Sequence, residues 1–412
     1  MKRIYRFIIA ASVMCLLVSC SETANIVSEH STAVSSSPSC FIPDEPSDIP
    51  ELSDFPLLEE TVVSTPDLSE EESDESIEEN MSASESLESS EPPISEPEEE
   101  PSQSVSDDTN SLESQETPSA PSDPKPHKVN GFIVYGDRGM EPFGGSAKGG
   151  RYTAEVLNLL KERVGNDVNV YAMPIPLACT FYAPEGYEKS IACMADCFYG
   201  LRDSLINVEF VDLISALNPH SDEDIYARTD HHWMALGAYY ASEALCDVAG
   251  TSFKTLDQFQ ECSFDGFLGS TVKAFGVNEL KKYPETFYWY EPYQEYTAHY
   301  YRQNYTYSFS GSMFSNSKSY VKFIYGDSYA VRIETGVNNG RKLLLIKDSY
   351  GNALAPFLIA GFEEIYIVDY RDFECNILKF VEENNITDVT VALSAFAIAS
   401  SKRDNIIRLM EQ

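Results

Sequence analysis

The chain of 412 residues is short of positive charge, tryptophan and histidine: 29 Lys and Arg stand against 66 Asp and Glu, with two Trp and six His. A net charge of −37 excludes nucleic acid as a partner, because phosphate backbones are bound by basic surfaces. Long apolar runs are scarce as well. Residues 8–18 form one that is too short to span a bilayer comfortably. It follows Lys2, Arg3 and Arg6 in "MKRIYRFIIAASVMCLLVSC", which is the layout of an export signal. No internal repeat is present, and no Pro/Gly/Ser-rich break interrupts residues 128–412. With histidine so rare, "ARTDHHWMALGAYY" at 227–240 stands out, because it sets Asp230 beside His231, His232 and Trp233.

The apolar run ends in "LVSC", which resembles a bacterial lipobox. Cys20 is then expected to be the lipidated first residue of the mature protein, anchored to the membrane outside the cytoplasm. Residues 21–127 hold 29 acidic residues against one lysine, in Ser, Glu and Pro-rich sequence with little to bury. Such a segment is expected to be a disordered, self-repelling tether. Fully extended, it would reach on the order of 300 Å. Residues 128–412 are then expected to form one domain. Of the nine cysteines, six fall there; Cys193 and Cys197 lie one helical turn apart but lack further ligands nearby, so buried free thiols are expected.

Elements alternate along this domain. "GFIVYGD" (131–137), "DVNVYAMPIPLA" (167–178), "VEFVDL" (208–213), "LLLI" (343–346), "EIYIVDY" (364–370) and "DVTVALS" (388–394) read as strands. Helical spacing runs over 151–165, 190–205, 234–250, 351–362 and 376–385, with Gly250 as a stop signal. The Tyr- and Phe-rich stretch 264–325 is less regular. Strands alternating with helices indicate an α/β fold with a mostly parallel sheet, which holds ligands at the carboxyl ends of its strands.

Ser349 lies in "LLLIKDSYGN", just past a strand and just before a helix, a setting that exposes a hydroxyl beside helix-terminal N–H groups. A serine there is also a common helix cap. A nucleophilic serine needs a base, and the base needs a carboxylate to fix its tautomer; Asp230 and His232 supply both from one turn. Ser328 in "FIYGDSYAV" is a rival by its Gly-Asp-Ser string, but the residues after it show no helical period. A metal reading of Asp-His-His would need further aspartates in strand-end pairs, which are missing, so no metal and no cofactor are expected.

Together "RTDHHWMALGAYYA", "GFIVYGDRGMEPFGG", "NVYAMPIPLACTFYAPEGY", "RKLLLIKDSYGNALAPFL" and "EEIYIVDYRDF" resemble the DHHW family of exported bacterial proteins over roughly 131–412. That family is similar to the SGNH-hydrolase-like domains of alginate O-acetylation proteins. The resemblance implies a three-layer α/β/α sandwich, with Ser349 as nucleophile, His232 as base and Asp230 orienting it. It also implies an acetyl-handling enzyme, a carbohydrate O-acetyltransferase or acetylesterase, on a cell-envelope or secreted polysaccharide. A separate membrane acyltransferase would supply the acetyl groups. Asn352, Arg371 and Tyr350, near strand ends, are candidate substrate or oxyanion contacts. Tyr288, Trp289, Tyr290, Tyr293 and Tyr296 are either a sugar-stacking surface or core and edge residues. The alternative function is a non-catalytic glycan-binding or assembly lipoprotein on the same fold.

Overall fold

A computed structural model describes residues 124–412, which lie within one compact unit. The expected export signal with Cys20, and nearly all of the expected tether, lie outside the described residues. Thirteen strands are described: β1 (His127–Val129), β2 (Phe132–Tyr135), β3 (Arg138–Met140), β4 (Asn169–Ile175), β5 (Glu209–Phe210), β6 (Phe259–Phe267), β7 (Glu285–Pro292), β8 (Thr297–Tyr301), β9 (Tyr307–Gly311), β10 (Ala330–Glu334), β11 (Lys342–Lys347), β12 (Glu364–Asp369) and β13 (Asp388–Ser394).

Eight of them form the central sheet in the order β5-β4-β13-β11-β12-β10-β8-β9. The first five run parallel, and the last three add an antiparallel edge. β12 and β13 are buried at every position, so both faces of the sheet are covered. Two helix groups supply the cover. Ala147–Val164 packs on Glu188–Arg202, Ile377–Glu383 and Asn405–Glu411, while Ala235–Ala249 packs on Leu213–Leu217 and Ala355–Leu358. The fold is thus an α/β sandwich with a mostly parallel sheet. The first long helix buries Gly150, Thr153, Ala154, Leu157 and Leu160, the i, i+3, i+4 stripe of an amphipathic helix. Helix Ala235–Ala249 ends at Gly250 in the left-handed conformation (φ 65°). Among the described residues no helix is long and apolar enough to cross a membrane.

Three departures from the expected elements bear on the site, and one expectation, the absence of a helix after Ser328, is met by a strand. The strand expected at 131–137 exists but belongs to a separate three-stranded antiparallel sheet, β1-β2-β3. The irregular 264–325 stretch supplies the end of β6 and all of β7, an antiparallel ribbon, as well as the edge strands β8 and β9. β8 is buried at four consecutive positions, so it shows none of the alternation by which a half-buried strand is read. The segment after Ser328 is strand β10, paired on both sides. The helix expected at 351–362 is a 3₁₀ helix, Ser349–Leu354, running into a short α-helix, Ala355–Leu358. Pro356, without an N–H, cannot continue regular α-helical bonding from the turn before it.

Candidate active site

Because β4, β13, β11 and β12 are parallel, their carboxyl ends meet on one edge, and the polar residues that follow them gather there. β11 delivers Asp348 and Ser349. The Asp348 carboxylate accepts the backbone N–H of Tyr350 (3.2 Å) and that of Ser394 at the end of β13 (2.7 Å), which pins the turn to the neighbouring strand. Gly351 lets this turn lie on Lys347: a Cβ at that position would sit 2.4 Å from the Lys347 Cβ.

The second wall is the loop before helix Ala235–Ala249. A bridge between Tyr226 and Trp233 closes it, with Ala227 N–H on the His232 carbonyl (3.2 Å) and Met234 N–H on that of Ile225 (3.0 Å). Glu285, at the start of β7, accepts the backbone N–H groups of Arg228 and Thr229 and the Thr229 hydroxyl (2.6 Å). The aromatic ribbon is thus a scaffold for this loop. Inside the loop the Asp230 carboxylate turns back on the His232 N–H (3.0 Å), an Asx turn, and its other oxygen accepts the Ser270 N–H (2.8 Å).

The two walls meet in a line of hydrogen bonds. Asp230 Oδ1 lies 2.7 Å from His232 Nδ1, and His232 Nε2 lies 2.7 Å from Ser349 Oγ. Asp230 and His232 are buried, whereas Ser349 is half-buried and reachable. The His232 ring is held between partners: Tyr320 stacks on it at 3.9 Å with the planes 4° apart, and His231 lies against it at 3.8 Å. Two further bonds cross-link the walls in opposite senses. The Trp233 indole N–H donates to the Tyr350 carbonyl (2.9 Å), and the Tyr350 hydroxyl donates to the His231 carbonyl (2.5 Å). Burial disfavours charge on Asp230, but His232, His231 and the His232 N–H outweigh it and hold the carboxyl well below the usual carboxylate range.

Beneath Ser349 lies an ionic network. Lys347 is fully buried, with Nζ 2.7 Å from Asp327 and 3.0 Å from Asp369. Arg371 reaches the same two carboxylates at 2.7 and 2.6 Å, and the Asn352 amide donates to Asp327 (2.8 Å). Burial works against the Asp327 charge, yet Lys347 and Arg371 lower its pKa below the usual range. Asp327 follows three consecutive residues of positive φ: Ile324 (44°), Tyr325 (61°) and Gly326 (75°). A β-branched residue in that region is strained. The Gly-Asp-Ser string around Ser328 therefore has a structural account in Asp327, which ties the 323–327 turn to the ends of β11 and β12.

The residues picked out from the sequence separate on these contacts, and Asp230, His232 and Ser349 come together. Tyr350 is buried with its hydroxyl engaged by the His231 carbonyl, and Arg371 directs Nε and Nη2 at two carboxylates, so the Tyr350 hydroxyl does not stand as a free donor to substrate. Asn352 lies one 3₁₀ turn after Ser349, buried, with its amide on Asp327. In the aromatic stretch Tyr290 is buried, Trp289 donates to Glu291 under the Lys322 ammonium, and Tyr288 and Tyr293 are exposed. Cys179, Cys193, Cys197, Cys246 and Cys262 are free thiols. Asp230, His231 and His232 have donor atoms within 4.8 Å of one another, as a metal site would. Those on Asp230, His231 Nδ1 and both ring nitrogens of His232 are already in hydrogen bonds within the protein, so the set does not fit a metal as it stands.

Glu141, Gly269 and Ser270 were not legible from sequence. Glu141 is a buried carboxyl raised to about 7 by desolvation; the His232 charge acts against the shift and the Asp230 charge with it. Its only sequence sign is a charge inside an otherwise apolar and glycine-rich string.

The family model described as "DHHW protein" matches residues 61–368, from within the acidic segment through β12. A crystal structure of a DHHW family protein from Eubacterium siraeum is 38% identical, covering 69% of this chain and 97% of that one at a TM-score of 0.65. The chain belongs to the DHHW family. Bacillus cereus PatB1, solved with a sulfonyl adduct, is similar in fold to this DHHW protein at 17% identity and a TM-score of 0.55, over 68% of this chain and 98% of its own. The O-acetyltransferase domain of Pseudomonas putida AlgJ is 13% identical with a TM-score of 0.38, covering 70% and 99%. No curated protein matches the chain.

Proposed function

We propose that this DHHW protein is a serine-dependent acyl-transfer enzyme, a carbohydrate O-acetyltransferase or acetylesterase. The observation that carries the reading is the Asp230–His232–Ser349 line, with both links at 2.7 Å and Ser349 reachable at a strand end. With Nδ1–H donated to the Asp230 carboxylate, His232 Nε2 is the acceptor for the Ser349 hydroxyl proton. Ser349 Oγ attacks the acetyl carbonyl as that proton moves to His232. The tetrahedral oxyanion forms beside the Ser349 backbone N–H, the first of the 3₁₀ turn and without an intrahelical partner. Its collapse breaks the ester C–O bond, His232 returns the proton to the leaving oxygen, and the acetyl group stays on Ser349. A sugar hydroxyl or water then attacks the acyl-enzyme by the same steps in reverse. Asp230 stays charged throughout, which fixes the imidazole tautomer and stabilises the imidazolium.

The carbohydrate half of the reading rests on the resemblance to alginate O-acetylation proteins. The exported, lipid-anchored setting rests on the "LVSC" run with Cys20. In that setting a membrane acyltransferase supplies acetyl groups and an envelope or secreted polysaccharide accepts them. The sulfonyl adduct of PatB1 suggests the matching probe. Sulfonyl fluoride is expected to label Ser349, located by peptide mass spectrometry. Hydrolysis of 4-nitrophenyl acetate is expected to survive EDTA and to vanish in Ser349→Ala. Equal hydrolysis by both proteins would remove Ser349 as the nucleophile.

A further inference from the structure

The second residue of the motif, His231, has no part in the proton relay, yet its ring is as closely specified as that of His232. Nδ1 lies 2.5 Å from the Ser270 hydroxyl, and the ring packs on His232 at 3.8 Å with Phe275 edge-on. Ser270 is buried, and its oxygen already accepts the His231 backbone N–H (3.4 Å). Among the described residues, the one acceptor within reach of the Ser270 hydroxyl proton is His231 Nδ1. A buried hydroxyl keeps its donor satisfied, so Ser270 donates and His231 Nδ1 accepts. The His231 proton therefore sits on Nε2.

His232 is fixed the other way, with its proton on Nδ1 facing Asp230. Both Nδ1 atoms face the same carboxylate oxygen, at 2.7 Å for His232 and 3.7 Å for His231. The two rings lie 3.8 Å apart with their planes 37° from parallel, and each keeps Nδ1 on the side of the Asp230 carboxylate. His232 Nε2 reaches the Ser349 hydroxyl, and the His231 ring packed against it is 22% exposed. We infer that His231 is a specificity-determining donor: its Nε2–H binds a hydroxyl of the sugar whose neighbouring oxygen exchanges a proton with His232. That oxygen, as leaving group or as acceptor, must lie beside His232 Nε2, and the ring packed directly against His232 is the partly exposed imidazole of His231. Burial, and then the neighbouring His232, lower the His231 pKa to about 3, against the opposing pull of Asp230 and Asp327. The ring is a neutral donor over the working range, a role imidazole can fill when its charged form is suppressed.

This inference rests on the serine acyl-transfer reading, and the test separates the two. His231→Phe keeps a stacking ring without the donor, and His231→Gln restores an N–H near the Nε2 position. Both variants are expected to take sulfonyl label at Ser349, and whatever each loses on 4-nitrophenyl acetate is expected to be small and the same for Phe and Gln, since neither probe carries a sugar hydroxyl. With a sugar monoacetate, His231→Phe is expected to lose about tenfold in kcat/KM, the worth of one hydrogen bond, and His231→Gln to recover most of it. Nitrogen NMR of the histidine-labelled protein is expected to show Nε2–H on His231 and Nδ1–H on His232. Unchanged turnover of the sugar acetate by His231→Phe, an equal loss on both esters, or Nδ1–H on His231 would each overturn the inference. Failure of the wild type to take label at Ser349 would instead overturn the acyl-transfer reading, and the NMR result would still decide the tautomer.

Discussion

Gly269 offers a test of the site that touches none of the reacting atoms. Its backbone is extended (φ −90°, ψ −163°), a conformation any L residue adopts, so alanine there brings no backbone strain. It does bring a collision. A Cβ would stand 2.3 Å from both the Cβ and Oδ2 of Asp230 and 2.7 Å from its Cγ. Carbon and oxygen atoms settle at roughly 3.5 Å, so Asp230 would have to yield by about 1 Å. It cannot yield without stretching the Ser270 N–H bond on one oxygen (2.8 Å) or the His232 bond on the other (2.7 Å). A misplacement of about 1 Å in a catalytic array costs on the order of 10²-fold in rate, which is about 2.7 kcal/mol of barrier. Overpacking of a closed site costs about 1–3 kcal/mol in stability. Gly269→Ala is therefore expected to remain folded, with a modestly lower Tm, and to lose about two orders of magnitude in kcat/KM for 4-nitrophenyl acetate. The assay is initial-rate hydrolysis well below the variant's Tm, with circular dichroism to confirm the fold. A folded Gly269→Ala protein within twofold of wild type would refute the argument that Asp230 acts through its position.

Two further perturbations read the supports of the site. Glu141 has its folded pKa raised to about 7 from 4.5 by burial, so the folded state holds this proton more tightly than the unfolded chain. Its contribution to stability is whole below about pH 4.5 and is lost as pH rises through about 7, by about 3 kcal/mol at the limit. Glu141→Gln is expected to remove that loss, so its urea-unfolding free energy should gain on the wild type between pH 5 and 8.5; parallel pH profiles would count against it. Lys347→Met removes the cation between Asp327 and Asp369 and leaves Arg371 as the one cation paired with both carboxylates, with the Asn352 amide still on Asp327. An expected loss of about 3–5 kcal/mol is to be measured by the same unfolding, and a loss under 1 kcal/mol would show that water replaces the ammonium.

The parts of the site that were legible in sequence are those whose chemistry is local. Ser349 follows a six-residue strand with a four-residue apolar centre and precedes a turn, and Asp230 and His232 sit two residues apart, close enough to form their hydrogen bond within one loop. What was not legible depends on partners far along the chain. Glu285 holds the Asp230 loop through Thr229 from 56 residues away, and Ser270 holds Asp230 from 40. Tyr350 and Arg371 were read as substrate contacts because polar groups at strand ends usually face the cleft. In the structure the His231 carbonyl takes the Tyr350 hydroxyl and two carboxylates take Nε and Nη2 of Arg371, competitors that a local reading does not reveal. The antiparallel edge escaped for another reason. β8 is packed on both faces by aromatic residues, and its run of buried positions carries no period.

The motif is four residues long because each faces a different way from one short loop. Asp230 turns back on its own backbone and on Ser270, and Trp233 reaches across to the Tyr350 carbonyl. Between them, two imidazoles packed 3.8 Å apart hold opposite tautomers, set by Ser270 on one side and Asp230 on the other. Trp233 and Tyr350 make the exchange reciprocal: each wall donates one hydrogen bond to the other's backbone, so neither can slide without breaking both. The opposing wall is strained at Ile324 and Tyr325, a cost of about 1–3 kcal/mol per residue. It persists because the carboxylate delivered by that turn, Asp327, is fixed by Lys347, Arg371 and Asn352 together. Rigidity in this site therefore comes from hydrogen bonds between loops rather than from the regular elements. Substitutions that break those bonds are expected to lower acyl-transfer rate before they unfold the sheet.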